Sequence, residues 1–243
     1  MRLLIALALL VDSALACAQP SADGARELIE EALRKHAPAP HVYEEQTLVL
    51  SDSLGRHSVR TARYYQTSDA DGAQKRLLII DTPADVKGAA LLVTRDASGV
   101  RRGPEAFGRV FGSDFTIADL EAEQPRDFRY EREPDQELER VVHHVLRALP
   151  KDESVARLTG YAERRLFLRK DNLYVSRIDY QDPRGRALRR QTFRDPVVDD
   201  TGAWRPGMVL MEDLQEGHRT LLKVERRVHS ADYVPAQVFA LER

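Results

Sequence analysis

With 243 residues, the chain is long enough to bury one sizeable core in a single domain. Its formal net charge of −2 gives no reason to expect nucleic acid or an anionic membrane surface as a partner. The single cysteine, Cys17, excludes a disulfide framework within the chain.

The first 18 residues have the pattern of a secretory signal peptide. Met1 and Arg2 form a minimal positive region, and the apolar run Leu3–Val11 that follows is too short to span a bilayer. Ala16 and Ala18 then fit the A-x-A rule for cleavage. The pattern predicts an exported protein with a signal peptide over residues 1–18 and one folded domain over residues 19–243.

Cys17 leaves a second interpretation of this segment open. Cleavage before Cys17 would resemble lipoprotein processing, after which the acylated cysteine anchors the protein to a membrane. Ala14 stands three residues before Cys17, where a lipobox prefers Leu. Soluble export, with a mature protein that begins near Gln19, is therefore the favoured hypothesis.

The segment Ala25–His36 is predicted to form an amphipathic helix. Apolar residues recur at helical spacing on one face, charged residues fill the rest, and Pro38 and Pro40 end the pattern. Such a helix needs a surface to cover. The residues that it should bury are Leu28, Ile29, Ala32 and Leu33.

From Val42 onward the sequence consists of short alternating runs separated by turn residues, which predicts a mainly β protein. Many runs are apolar on one face and charged on the other, as is typical of antiparallel strands with one solvated side. The predicted strands are Glu45–Leu50, Ser58–Gln66, Lys75–Ile80, Ala89–Thr94, Phe128–Arg132, Arg164–Leu168, Tyr174–Tyr180, Leu188–Phe193, Met208–Met211 and Arg219–Val228.

Two apolar runs near the middle of the chain, Leu77–Ile80 and Ala89–Val93, have the length of buried strands. Both faces of these strands need cover, because soluble monomers rarely expose large apolar patches. Pro83 and Gly88 lie between the two runs and predict a connecting loop.

The segment Phe111–Leu120 is predicted to form a turn followed by a short helix. Asp114 or Thr116 can cap the helix, and Phe115 and Leu120 should be buried on the sheet.

These central segments resemble the LolA-like outer-membrane lipoprotein-sorting proteins of Gram-negative bacteria. In that family a strand, a Pro-x-Asp-x-x-Gly turn and a second strand precede a Gly-Ser-Asp-Phe-Thr-x-x-Asp-Leu segment. The chain departs from the family after Val93, where only residues 100–107 replace another aromatic strand. The matching positions are Pro83, Asp85, Gly88, Gly112, Ser113, Asp114, Phe115, Thr116, Asp119 and Leu120.

The resemblance implies a mainly β (α+β) fold in which a strongly curved antiparallel sheet forms a half-open barrel. The N-terminal helix and short helices would lie on its concave side. Residues 137–149 have the composition of a helix, but the resemblance favours a strand there.

The resemblance also implies a periplasmic, non-enzymatic carrier or sorting protein that shields acyl chains in an apolar cavity between sheet and helices. Its partners would be an acylated lipid or lipoprotein and an inner-membrane transporter or outer-membrane acceptor, with no nucleic acid. The cavity is expected to be lined by Leu78, Ile80, Leu92, Phe115, Leu120, Trp204, Met208 and Leu210.

Two other functions stay open at this point. One is an interaction module of an envelope export or regulatory system, with a filled core and no ligand. The other is a hydrolase, although the sequence contains no Gly-x-Ser-x-Gly elbow, phosphate loop, dinucleotide fingerprint or His-Glu-x-x-His motif.

No cofactor or metal is expected from the polar residues. His143 and His144 are adjacent on the predicted strand, so their side chains point to opposite faces and cannot chelate one ion. Asp114 and Asp119 are interpreted as a helix cap and a surface residue rather than as paired catalytic carboxylates.

Overall fold

The computed structural model of the protein describes residues 22–104, 108–121 and 123–240. The predicted signal peptide and Cys17 lie outside these residues. In the described part of the chain, no helix has the length and apolar character needed to cross a membrane.

Two α-helices occur among the described residues: α1 (Ala22–Lys35) and α2 (Glu153–Thr159). Helix α1 confirms the predicted amphipathic helix, since Ile29 and Ala32 are buried and Leu28 and Leu33 pack partly buried against the same core. Short 3₁₀ helices occupy Ile117–Leu120, Pro125–Asp127, Ala231–Tyr233 and Ala236–Phe239.

Fourteen strands form within the described residues, and they include all ten that the sequence predicts. They are β1 (His41–Ser51), β2 (His57–Ser68), β3 (Gln74–Thr82), β4 (Ala90–Arg95), β5 (Arg101–Arg102), β6 (Phe128–Leu138), β7 (Val141–Pro150), β8 (Glu163–Arg169), β9 (Val175–Gln181), β10 (Ala187–Arg194), β11 (Val197–Val198), β12 (Trp204–Arg205), β13 (Met208–Asp213) and β14 (Arg219–Val228).

Strand β7 resolves the segment whose composition suggested a helix. It pairs with β6 on one side and β8 on the other, and its residues Leu146 and Ala148 are fully buried. Pairing along both edges outweighs the weak helical preference of the segment, because local propensity is worth far less than packing.

Twelve of the described strands form one antiparallel sheet in the order β5-β4-β3-β2-β1-β14-β13-β10-β9-β8-β7-β6, while β11 and β12 form a separate hairpin. The large sheet is open, with β5 and β6 at its edges. The fold is therefore mainly β, with the curved, half-open sheet that the resemblance implies.

Glu121 and Glu123 form ion pairs with strands near the two ends of the sheet. Arg101 of β5 and Arg95 of β4 both pair with Glu121, while Glu123, two residues further on, pairs with Arg164 of β8. The chain then enters β6 at Phe128.

The two faces of the sheet carry different cores. The face that we call the concave face is covered by α1 and by the Gly112–Leu120 segment, and it holds the larger cluster, which includes Leu48, Leu78, Leu146, Leu166 and Met211. The opposite face carries a smaller cluster, in which Tyr65 and Leu77 pack against Val234 and Phe239 of the C-terminal segment.

Candidate functional site

The Gly112–Leu120 segment lies against the concave face and is fixed there by buried polar contacts. Thr220 of β14 donates its hydroxyl to Asp114 Oδ2 at 2.7 Å and accepts the Asp114 backbone N–H at 3.0 Å. Arg109 bridges Asp114 and Asp213 of β13. Asp114 is therefore an anchor to the sheet, and Thr116 is the residue at the N-cap of the helix.

Asp119 is the second anchor of this segment. Its Oδ2 accepts from the Thr116 N–H and hydroxyl, both at 2.7 Å, and from Arg189 of β10 at 2.8 Å, while Oδ1 accepts from Tyr180 of β9 at 3.1 Å. Its side chain is 2% exposed. The interpretation of Asp119 as a surface residue is therefore wrong. The segment directs the carboxylate towards the sheet, where it forms an ion pair with Arg189.

The glycine and serine of the same motif shape the turn that precedes the helix. Gly112 has φ 75°, a left-handed conformation that glycine adopts without strain. Ser113 is buried and donates its hydroxyl to the Val110 carbonyl at 2.7 Å. The turn places Phe115 in the core at 3% exposure, as predicted, and leaves Leu120 partly buried.

The Pro-x-Asp-x-x-Gly motif has a local structural role. Pro83, Asp85 and Gly88 lie in the exposed turn between β3 and β4, and Gly88 closes it by donating its N–H to the Ile80 carbonyl at 2.8 Å. These residues position two strands and do not line a cavity on the concave face.

A cavity of about 290 Å³ lies between α1, α2 and the concave face. Its volume is near the lower end of the range for small-molecule sites. Its apolar wall includes Ile29, Leu33, Phe128, Val155, Leu166, Val175, Ile178 and Phe193.

A second cavity of about 250 Å³ lies on the other side of the Gly112–Leu120 segment. It shares Asp119, Gln191 and Phe193 with the first, so the two adjoin beneath the segment. Its wall is mixed, with Phe115, Leu120, Val209 and Leu222 beside the buried Glu44–Arg227 pair, whose Oε1–Nε distance is 2.6 Å.

Of the eight residues predicted to line the cavity, only Phe115 and Leu120 line one of the two concave cavities, and none lines the first. Leu78, Ile80 and Phe115 belong to the concave core, and Leu120 lines the second cavity with Phe115. Trp204 lies at the C-terminal end of α1, where its ring packs against Tyr174 at 5.7 Å between ring centroids.

The structure does not bring Leu92, Met208 and Leu210 to that face. Leu92 packs with the cluster on the opposite face, while its neighbours Leu91 and Val93 belong to the concave core. In β13 the concave residues are Val209 and Met211. Side chains alternate along a strand, so a choice that is off by one residue moves the side chain to the other face.

The other end of the first cavity is charged, a feature that the sequence analysis missed. Arg164 donates two hydrogen bonds to Glu123, at 2.9 and 2.6 Å, and its guanidinium lies 4.2 Å from the centre of the Phe128 ring. The alternation of side chains along β8 could have indicated that Arg164 is buried, because Arg164 shares a face of the strand with the buried Leu166 and Leu168.

Electrostatics keep these groups in fixed charge states near neutral pH. Burial opposes the charge of Arg164, but Glu123 holds the pKa of this guanidinium above its usual range. Burial, reinforced by Asp119, raises the pKa of Tyr180, so its hydroxyl stays neutral and its one proton is shared between the Asp119 carboxylate and the Gln191 side-chain oxygen. The charged end of the cavity is therefore built from ion pairs between guanidinium groups and carboxylates.

No three His, Cys, Asp or Glu side chains in the described ranges cluster closely enough to hold a metal ion. On the opposite face, a cleft of about 730 Å³ lies between β2, β3, β4 and the C-terminal segment, and another of about 660 Å³ lies near His143. The first concave cavity is distinguished from these clefts by α1, which contributes Ile29 and Leu33 to its wall.

Comparison with known proteins identifies a family and a fold. A family model with the description "uncharacterized protein" matches residues 72–243. No curated protein matches the chain.

Solved structures share the fold, and three similar ones follow. A domain described as outer membrane lipoprotein-sorting, from Vibrio parahaemolyticus, is 20% identical, covering 90% of this chain and 99% of that one with a TM-score of 0.77. A DUF1329 family protein from Desulfovibrio piger is 20% identical, covering 88% and 98% with a TM-score of 0.75. A LolA superfamily protein from Nitrosomonas europaea is 15% identical, covering 88% and 96% with a TM-score of 0.69. These likenesses confirm the resemblance at the level of the fold, and none of the three proteins is described as an enzyme.

Proposed function

We propose a lipid-carrier function for this chain, which belongs to the family whose model matches residues 72–243 and has the LolA-like fold. In this proposal the protein is a periplasmic, non-enzymatic carrier that takes up the acyl chain of a lipid or lipoprotein. The acyl chain lies in the cavity between α1 and the concave face.

The observation that carries the proposal is the apolar wall of the first cavity. Helix α1 contributes Ile29 and Leu33, and the sheet contributes Leu166, Ile178 and Phe193 from three neighbouring strands. Each buried methylene is worth about 0.8 kcal/mol, so an acyl chain gains substantially by exchanging water for such a wall. Leu33 is only partly buried, so this part of the wall reaches the solvent at the edge of the helix.

The location and partners follow from the same proposal. The predicted signal peptide over residues 1–18 directs export, and the Vibrio parahaemolyticus relative is described as lipoprotein-sorting. A carrier in the periplasm would receive its cargo from an inner-membrane transporter and deliver it to an outer-membrane acceptor.

Filling the cavity tests the proposal. Leu33→Trp places a larger side chain in the cavity. We expect it to weaken binding of a fluorescent fatty acid by about tenfold or more, equivalent to about 1.4 kcal/mol. The control is Arg34→Trp, which introduces the same residue at an exposed neighbouring position on the same helix. Affinities are measured by fluorescence titration, with circular dichroism as a check of folding.

If the carrier function fails, the alternative is an interaction module of an envelope export or regulatory system. It has one observation in its favour: the Gly112–Leu120 segment and its ion pairs occupy much of the concave side. If the unmodified protein binds no acylated probe, or if Leu33→Trp and Arg34→Trp behave alike, the carrier function is rejected.

A further inference from the structure

Three buried glutamine side chains line the second cavity, and each has one amide end without a partner among the described residues. Gln46, Gln66 and Gln191 are 7%, 6% and 5% exposed. Gln46 donates from Nε2 to the Glu44 carboxylate at 2.6 Å, which leaves its Oε1 unpaired. Gln66 accepts from Arg76 Nε at 3.3 Å through its Oε1, which leaves its Nε2 unpaired.

Gln191 supplies the third free amide end, at the place where the two cavities adjoin. Its Oε1 lies 2.9 Å from the Tyr180 hydroxyl, and its Nε2 has no partner in the described part of the chain. The unpaired side-chain atoms that the described residues fully enclose belong to other residues, so these three amide ends keep accessible surface. A ligand atom in the cavity can therefore reach them. Buried polar groups in native proteins usually have a partner, which bound water or a ligand supplies when the protein does not.

The second cavity has no surplus of charge that would select an ion. Two carboxylates and two guanidinium groups line it. Each of these groups has a partner of opposite charge, and the pairs are Glu44–Arg227 at 2.6 Å, Asp119–Arg189 at 2.8 Å and Arg205–Asp199 at 2.9 Å. An ionised ligand group would lose its water here without gaining a free counter-charge, whereas a neutral polar group would lose much less.

The free amide ends differ in hydrogen-bonding type, which specifies the chemistry of their partner. Gln46 Oε1 can only accept a hydrogen bond, and Gln66 Nε2 can only donate one. A hydroxyl group supplies the missing donor and a carbonyl group supplies the missing acceptor. A carboxylate supplies acceptors alone, so it satisfies only part of this set.

The size of the two cavities indicates that one ligand uses both. Their volumes, about 290 and about 250 Å³, are each just below the range of about 300–1,000 Å³ for small-molecule sites. Gln191 and Phe193 belong to both walls. The first cavity offers an apolar wall to a chain, and the second offers paired charges and free amides to a polar head.

We propose that the second cavity binds the neutral head of a single-chain lipid, in which an ester or amide carbonyl and a hydroxyl pair with the free amide ends of Gln46, Gln66 and Gln191. The acyl chain continues past Phe193 into the first cavity. This inference rests on the proposed carrier function and adds to it the chemistry of the ligand's head.

Isothermal titration calorimetry at pH 8 on the protein without residues 1–18 tests the inference with three probes of the same acyl chain. Monolauroylglycerol carries an ester and hydroxyls, N-lauroylethanolamine carries an amide and a hydroxyl, and dodecanoate carries an ionised carboxylate. We expect the neutral probes to bind about tenfold more tightly than dodecanoate, because only their heads supply both a donor and an acceptor. The difference between the two neutral probes shows whether the site takes an ester or an amide.

Two variants locate the preference. Gln46→Met and Gln191→Met remove an amide from the cavity at nearly constant side-chain length, and the groups left behind, Glu44 and Tyr180, each keep a second partner. Each variant should reduce the preference for monolauroylglycerol over dodecanoate by about fivefold or more. The matched control is Gln215→Met, the same substitution at an exposed glutamine that lines neither concave cavity. Circular dichroism checks folding, and either variant suffices if the other folds poorly.

The outcomes separate this inference from the function beneath it. If dodecanoate binds as tightly as the neutral probes or more tightly, the neutral head site is overturned and the carrier function stands. The same conclusion follows if the folded cavity variants keep the full preference, or if Gln215→Met loses as much of it as they do. If no acyl probe binds, both the carrier function and the inference are rejected.

Discussion

Replacing Asp119 with alanine should release the Gly112–Leu120 segment from the concave face. The substitution removes a carboxylate whose two oxygens accept from Thr116, Tyr180 and Arg189. Tyr180 keeps Gln191 as a partner at 2.9 Å, but Arg189 keeps only a 3.3 Å contact to the Asp114 carbonyl. The main cost of the substitution is therefore a buried guanidinium without its counter-charge.

The size of this effect follows from burial. Arg189 is 8% and Asp119 is 2% exposed at the side chain, and removing one partner of such a pair typically costs about 3–5 kcal/mol. That is a large part of a typical stability of about 5–15 kcal/mol. The double variant Asp119→Ala/Arg189→Met removes both charges, so we expect it to cost about 2–3 kcal/mol less than the two single effects added together.

Urea denaturation followed by circular dichroism and by the fluorescence of Trp204, the only tryptophan in the chain, measures these differences. The control is Glu153→Ala, which breaks an exposed pair with Arg157 and should change the free energy of unfolding by no more than about 0.5 kcal/mol. The reasoning is refuted if Asp119→Ala costs less than about 1 kcal/mol, or if the double variant equals the sum of the single ones.

Two other predictions concern the core and pH. Phe115→Ala should lower the free energy of unfolding by about 3–5 kcal/mol, because the ring is 3% exposed. A loss below about 1 kcal/mol in the same assay would mean that the Gly112–Leu120 segment does not pack on the sheet. Burial lowers the pKa of His36. Its Nδ1 accepts from the Trp204 N–H, and its Nε2 lies 2.9 Å from the Asn172 carbonyl. The contribution of His36 to stability is therefore present above about pH 6.5 and is lost as the pH falls through the lowered pKa. A nuclear magnetic resonance titration that gave His36 a pKa at or above about 6.5 would contradict this, and His36→Asn should reduce the loss of stability between pH 7 and pH 5.

The sequence was sufficient for most of the elements because their signals are local. The amphipathic period of α1 and the alternation in β14 each occur within a dozen residues, and both formed where they were predicted. The Gly112–Leu120 motif likewise predicted its turn, its short helix and the burial of Phe115.

The face chosen by each strand was harder to predict. Leu92 and Leu91 are both large and apolar, and so are Leu210 and Met211, so composition does not show which of each pair lies on the concave face. Both faces of β4 are covered, which removes the polar alternation that normally marks the solvent side.

The sequence by itself determined a mainly β domain with a covering helix and a motif segment that packs on the sheet. Only the tertiary structure decided that Asp119 and Arg189, 70 residues apart, form a buried pair, and that Arg101 and Arg164 meet in one cavity. The physical reason is that a charged residue on a strand is compatible with either face, and its burial depends on whether a counter-charge from a distant part of the chain reaches it. Strand pairing and sheet curvature bring that counter-charge into contact. Neither can be predicted from the residues next to the charge.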